Sequence, residues 1–293
     1  MADSSVKGPI SEPKTSGDVQ HDRTTSVRKF QVPRERAARY VRGLIGVLVF
    51  LLVGEVIGRV GLVDRTYLPP SSTVLVHVAD LLTDGSFLSD VAFTLTGWAS
   101  GLLIAMVIAI PAGLVLGSLP VVNSAVRMLV EFLRPIPAVA LAPLVILMIA
   151  DQGQMERVLA AYAATWPILI NTVYGAGDVD PVARDMARCF GLSRFAILVR
   201  VFLPSVAPFI ATAVRVASSV ALVVTISTEL ISGGGAHGIG LFILNASGDP
   251  DGAGDVFAAV AITGMLGLVF DSLLRYLERR LFRWNFERLG ERK

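Results

Sequence analysis

Apolar runs close to twenty residues long recur along this chain, and one helix of that length spans the roughly 30 Å of hydrocarbon in a bilayer. They lie near residues 43–62, 91–117, 128–150, 158–176, 205–231 and 256–274. The expected fold is therefore all-α: a polytopic membrane protein with six transmembrane helices. Charge agrees, since only 17% of the 293 residues are Asp, Glu, Lys or Arg, against about a quarter in a soluble domain. Prolines interrupt the third and fourth runs, which are the least regular of the six.

Basic residues orient the spans. Of the 26 Lys and Arg, nine precede residue 43, four lie in 184–200 and seven run from Arg275 to the end, with Arg127 and Arg134 flanking the start of the third run. The intervening segments hold Arg59, Arg65 and Arg157 beside Asp80, Asp84, Asp90, Asp249, Asp251 and Asp255. The positive-inside rule then puts both termini and the 177–204 segment in the cytoplasm. An even number of crossings agrees. A net charge of +2, spread along membrane flanks, gives no footing for nucleic acid. Cys189 is the single cysteine, so the outer loops hold their shape without a disulfide. The first apolar run starts too late and runs too long for a cleaved signal peptide. Residues 1–40, rich in Ser, Thr, Pro and mixed charge, read as a disordered cytoplasmic tail.

Between the first two spans, Leu75, Val78, Ala79 and Leu82 recur at helical spacing. They predict a short amphipathic helix capped by Ser71 or Ser72 and closed at Gly85. The second span carries Gly97, Gly101, Ala105, Ala109, Gly113 and Gly117, small residues that let helices approach closely in lipid. Pro135, Pro137 and Pro143 in the third are tolerated where neighbouring helices satisfy the freed carbonyls. Glu55, Glu131, Arg134, Arg215, Glu229 and Asp271 interrupt the apolar runs and must face protein or water. Glu131 and Arg134 are spaced to pair on one helix, as are Asp271 and Arg275. Arg215 and Glu229 stand about 21 Å apart along one helix and cannot pair. Arg134, Arg215 and Glu229 are candidates for a translocation path; for Arg215 a buried ion pair, and for Glu229 plain packing, are the alternatives. Trp98 and Trp166 fit packing or interfacial anchoring better than a substrate platform. His237 has no second ligand in view, so no metal site is expected.

The segment 177–204 is structured. Asp180 can cap a helix with Pro181 in its first turn, and Val182, Met186, Cys189 and Phe190 fall on one face of it. Gly191 is placed for a left-handed cap. Ser193 can cap a second helix running to Leu203, with Pro204 marking a bend into the fifth span. Two short helices hinged at glycine and tied to a span on either side make a lever.

This stretch resembles the cytoplasmic loop of the permease subunits of bacterial ATP-binding cassette (ABC) importers, E-A-A-x3-G-x9-I-x-L-P. Asp185, Met186, Ala187, Gly191, Val201, Leu203 and Pro204 occupy its positions in register, with Asp for Glu, Met for the first Ala and Val for Ile. With EFLRPIPAVALAPLVIL before it and AHGIGLFI and LLRYLERRLFRW after it, the chain over roughly 65–284 is similar to the sulfonate, taurine and nitrate/bicarbonate type of importer permease. The resemblance implies a type I importer fold in which the loop is a coupling helix docked on an ATP-binding subunit. It puts Arg184, Asp185, Ala187, Arg188, Gly191, Leu203 and Pro204 at or beside that contact. It also implies a pair of ATP-binding subunits, an extracytoplasmic substrate-binding protein, a second permease copy (identical or not) and a place in the bacterial inner membrane. The cargo it implies is a small organic or inorganic anion.

None of the four lysines, Lys7, Lys14, Lys29 and Lys293, sits in a G-x-x-x-x-G-K-[ST] loop. No cofactor is therefore expected on this chain, with ATP and Mg on the partner, and no catalytic residue. The expected layout is a tail over 1–40, a transmembrane domain over 41–284 and a short tail over 285–293. An ion-gradient-driven secondary transporter or channel is the rival reading. It would call for paired broken helices in related halves, and no internal repeat is seen.

Overall fold

The computed structural model describes residues 32–60, 67–232 and 237–282, in two units, 1–49 and 50–293. The expected tail lies outside the described residues up to 31. Helix α1, Val32–Val60, takes in the end of that segment and begins well before 43. The short tail 285–293 and the glycine run 233–235 also lie outside.

In the second unit α1 is followed by α2 (Ser71–Leu81), α3 (Gly85–Ser118), α4 (Pro120–Leu133), a 3-10 turn (Ala138–Leu141) and α5 (Ala142–Met148). Then come α6 (Gln152–Gly177), α7 (Pro181–Cys189), α8 (Arg194–Ile197), a π turn (Leu198–Phe202), α9 (Leu203–Ser232), α10 (Ile239–Ser247) and α11 (Ala253–Leu281). Among the described residues five helical stretches are long and apolar enough to cross a membrane, and α4 with α5 makes a sixth if that bent pair is one span. The bend is 77° and falls at Pro135 and Pro137, where the sequence pattern has the prolines tolerated within the span.

Small residues decide the packing. A Cβ on Gly101 would stand 2.6 Å from the Ala160 Cβ, and one on Gly113 2.6 Å from the Thr172 Cβ. Gly117 meets Ala176 in the same way. The pairs advance together, so α3 and α6 run parallel at a separation that larger side chains forbid. α9 lies against both, and Trp98, Leu102, Ala109, Ala164, Ile168, Ala217 and Leu222 close the core between the three. Half of the apolar window of α6 is buried, against 17% for α11, which makes α6 central. We call the end where α3 and α6 begin and α9 stops the loop end, and the opposite end the arm end.

Three local expectations are corrected. α2 has Pro70 at its N-cap and no side-chain cap from its own serines; instead Glu55 of α1 accepts the Ser72 N–H at 2.9 Å and its hydroxyl at 3.0 Å. Gly85 opens α3 rather than closing α2, because Asp84 accepts the Ser86 and Phe87 N–H groups. Those bonds hold the Asp84 carboxyl below the ordinary carboxylate range, the Ser86 hydroxyl most of all. Finally, the chain does not break at Pro204. Its ring lies in the first turn of α9, where a missing N–H costs little, and the π turn over Leu198–Phe202 carries the change of register.

Candidate functional site

At the arm end, α7 and α8 form a compact pair. Asp180 accepts the Val182 N–H at 2.8 Å, and Ser193 accepts the Ala196 N–H at 3.2 Å, both as the sequence predicts. Gly191 takes φ +75°, a left-handed conformation that costs glycine little. The Leu192 N–H then reaches back to the Ala187 carbonyl at 3.1 Å, the closure of a helix that ends on a left-handed residue. Ala187 is buried (8% exposed) and faces the chain itself, while the Arg184 guanidinium sits 5.8 Å from the Phe202 ring centroid. Phe202 belongs to the cluster of Ala176, Val179 and Val206 that ties the arm to α6 and α9.

The other face of α7 is open. Val182, Met186 and Phe190 are exposed, Phe190 at 79%, and Phe195 follows on α8 at 74%. Asp185 and Arg188 pair across this face at 3.1 Å, and Leu203 is partly open beside it. The residues placed at or beside the contact thus divide. Ala187 fastens the arm, Gly191 shapes it, Asp185 and Arg188 point outward, and Pro204 lies where the arm enters α9. Of the exposed apolar stripe the pattern marks Met186 alone; the periodicity of Val182, Met186 and Phe190 was the available signal for the rest.

At the loop end Glu229 is fully buried (0% exposed) and enclosed by donors. The Thr94 hydroxyl donates to Oε1 and the Gly240 N–H to Oε2, each at 2.7 Å. The Ile239 N–H donates to the Thr94 oxygen at 3.0 Å, and Asp90 accepts the Gly238 N–H at 3.0 Å. Glu229 thereby joins α3, α9 and the start of α10. Beside it on α6 lies Glu156, which sequence reasoning missed because the fourth span was taken to begin at 158. It is also fully buried, its Oε2 would be 2.9 Å from a Cβ on Gly97, and neither oxygen has a hydrogen-bond partner among the described residues. Gln152, one turn back, interacts with it without closing a hydrogen bond of normal geometry.

Arg215 lies between α9 and α11 within 3.6 Å of Glu278 and 4.0 Å of Asp271. Thr212 donates to Glu278 at 2.9 Å, and Asp271 also pairs with Arg275, as their spacing predicts. Arg134 is different. It projects at the α4 bend and lines two cavities, one of about 280 Å³ that also holds Glu131 and one of about 430 Å³ between α6 and α9. So the structure does not gather Arg134, Arg215 and Glu229 into one site. Among the described residues no group of three or more His, Cys, Asp and Glu is placed to hold a metal.

The fold defines a class: a multi-pass helical membrane subunit with a structured helical arm between two of its spans. The family of binding-protein-dependent transport system inner membrane components matches residues 101–283, and the chain belongs to it. It is 33% identical over 213 residues to a putative ABC transporter permease protein of Methanocaldococcus jannaschii, covering 72% of this chain and 79% of that one. It is 26% identical to a putative aliphatic sulfonates transport permease protein of Bacillus subtilis, covering 92% and 96%. With the taurine transport system permease protein of Escherichia coli it shares 28% identity, covering 85% and 92%. The protein is the membrane permease subunit of a binding-protein-dependent importer, a system in which ATP hydrolysis belongs to a separate subunit.

Proposed function

We propose that two copies of this chain line a path for a small organic or inorganic anion, and that two ATP-binding subunits drive it through the arm. The observation that carries this reading is the arm's division of labour. Its inner face is fixed by Ala187 and the Phe202 cluster, and its outer face offers Val182, Met186 and Phe190 ringed by Asp185 and Arg188. An apolar stripe with a charged rim is the composition of a protein contact. Closure of the partner on ATP and Mg shifts the α7–α8 pair as one body. Because the π turn makes α8 continuous with α9, the push enters a span that packs against both α3 and α6. Alternating access is then a population shift between two packings. Arg184 and Leu203 seat the arm, and Gly191 and Pro204 set its angle.

The distribution of basic residues supports a cytoplasmic arm and cytoplasmic termini. The binding protein then delivers cargo at the loop end. A cargo with an anionic head group is supported by relatives whose names specify aliphatic sulfonates and taurine and by Arg134, which has no ion-pair partner among the described residues. Glu229 and Arg215 lie along α9, and in this reading they hold the walls of the path while Arg134 meets the solute. The second copy is taken as identical, because one chain supplies both arm and cavity.

The test is reconstitution of the permease with its ATP-binding subunits and binding protein in liposomes. ATP-dependent anion uptake that collapses on Phe190→Asp while assembly in the membrane persists is expected. Undiminished uptake without the ATP-binding subunit would point to an ion-gradient transporter or channel and overturn the proposal.

A further inference from the structure

The cavity of about 430 Å³ between α6 and α9 has a composition that specifies its occupant. Gln152 lies 3.4 Å from Ser232, so the loop ends of α6 and α9 are level. Val224 and Val216 then lie about 12 and 24 Å below that end at 1.5 Å per residue, which places the cavity across the middle of the bilayer. Val216, Val220 and Val224 form one aliphatic stripe of its wall. Tyr162 and Trp166 face them from α6, edge to face at 5.6 Å. The Tyr162 hydroxyl is committed to the Leu133 carbonyl at 2.9 Å, and the Asn171 amide nitrogen donates to the Pro167 carbonyl at 2.8 Å.

One ionised group lines this space, Arg134, and no carboxylate does. Of the two arginines that interrupt the apolar runs, Arg215 stands within ion-pairing distance of Glu278 and Asp271, whereas Arg134 has no such partner among the described residues. Glu131 lines the neighbouring smaller cavity. A guanidinium on an apolar wall at mid-membrane depth is costly unless a counter-charge joins it. The wall beyond it offers aliphatic and aromatic surface, which replaces the hydration of an organic group and not that of a small inorganic oxyanion.

We propose that this cavity is a transit site for an organic monoanion, its carboxylate or sulfonate head on Arg134 and its apolar body between the Tyr162–Trp166 pair and Val220. The inference rests on the proposed function only in that the cavity must lie on the solute's route. A cation is rejected by the guanidinium, and a hydrated inorganic anion gains nothing from the valine stripe. Trp166, a packing residue by its pattern, becomes part of the recognition surface.

The test uses the intact complex with its ATP-binding subunits in nanodiscs and measures binding of benzenesulfonate, benzoate, methanesulfonate and benzylamine. Both aryl anions are expected to bind, their ratio reporting which head group is preferred, with methanesulfonate weaker and benzylamine silent. Arg134→Ala should weaken the aryl anions by at least about tenfold, the loss of one charge-assisted contact, and Arg134→Lys should restore much of it. Val220→Phe, which fills the cavity, should weaken the aryl anions and spare methanesulfonate. Equal binding by Arg134→Ala and the parent protein, binding of benzylamine as tight as benzoate, or no probe bound at millimolar concentration each overturns the site. ATP-dependent uptake by the parent complex is followed in parallel. If uptake is present and the probes fail, the site alone is wrong. If it is absent for every solute, the proposed function has failed.

Discussion

At the loop end, acidic side chains other than Glu156 are largely used up on backbone donors and neighbouring helices. Asp84 caps α3, Asp151 caps α6 through the Gln154 N–H at 2.7 Å, and Glu229 joins three elements. At the arm end Asp180 caps α7 in the same way, yet among the described residues Asp185 bonds only to its neighbour Arg188, and Val182, Met186, Phe190 and Phe195 face outward. One end is satisfied internally, and the other leaves its binding capacity for another molecule. A subunit that must be pushed benefits from this asymmetry, because the pushed part moves as a unit against an end whose contacts stay fixed.

The largest expected effect comes from opening the satisfied end. A Cβ on Gly240 would stand 2.5 Å from the Ile226 carbonyl oxygen and 2.6 Å from the Glu229 Cβ. Gly240→Val must therefore separate α10 from α9, and little folded protein should be recovered from the membrane by size-exclusion chromatography in detergent. Normal yield and melting would show that this end is looser than its contacts imply. Next in size is Gly191→Pro at the arm. Proline cannot adopt φ +75°, and the Gly191 N–H bond to the Arg188 carbonyl at 2.9 Å is lost. Uptake should fall near background while the melting temperature and membrane yield hold, as they should for charge reversal at Asp185. A fall in melting temperature matching that of the loop-end variant would erase the distinction between the two ends.

Much of this asymmetry was legible in the sequence, because the arm is made by local chemistry. Asp180-Pro181, Gly191 and Ser193 act within a few residues of themselves, and the α3 glycines recur at intervals of four. The loop-end joints were not legible, since they link residues far apart: Thr94 with Glu229, Asp90 with Gly238, His77 with Asp255 at 2.7 Å. Nothing local announces a donor more than a hundred residues away. Glu156 was partly legible. It falls on the same helical face as Leu159, Ala160 and Ala163, so a helix begun at Gln152 would have put a carboxylate on the buried side. The π turn had no visible signal beyond Pro204, which was read as a bend.

The two buried glutamates sharpen the contrast within the loop end. Glu229→Gln replaces an acceptor by an amide, which sets an N–H against the Thr94 hydroxyl or the Gly240 N–H. Leaving such a buried donor unmet costs about 1–3 kcal/mol, read as a lower melting temperature of the detergent-solubilised chain. Glu156→Gln removes no hydrogen bond, since neither oxygen has a partner among the described residues, and should leave stability equal or higher. Equal losses in the two variants would mean that Glu156 is held by a partner as firmly as Glu229.

The smallest effects are those of the helix caps, and they test whether the ends differ when the chemistry is the same. Asp151→Ala should cost about 1 kcal/mol, read in the melting of the whole helical unit. Asp180→Ala should leave that melting unchanged and lower ATP-dependent uptake, because α7 frays while α6 and α9 stay packed. The Asp84 cap adds a pH signature. Its carboxyl is held below the ordinary range by the Ser86 hydroxyl and amide, so its contribution is complete above the ordinary value of 3.8 that holds in the unfolded chain. That contribution is lost as pH falls through the lower folded value. Melting followed downward from pH 5 should therefore decline less steeply in Asp84→Ala than in the parent chain. Parallel declines would mean that the cap is too exposed to matter, and that the strength of the loop end resides in its buried joints alone.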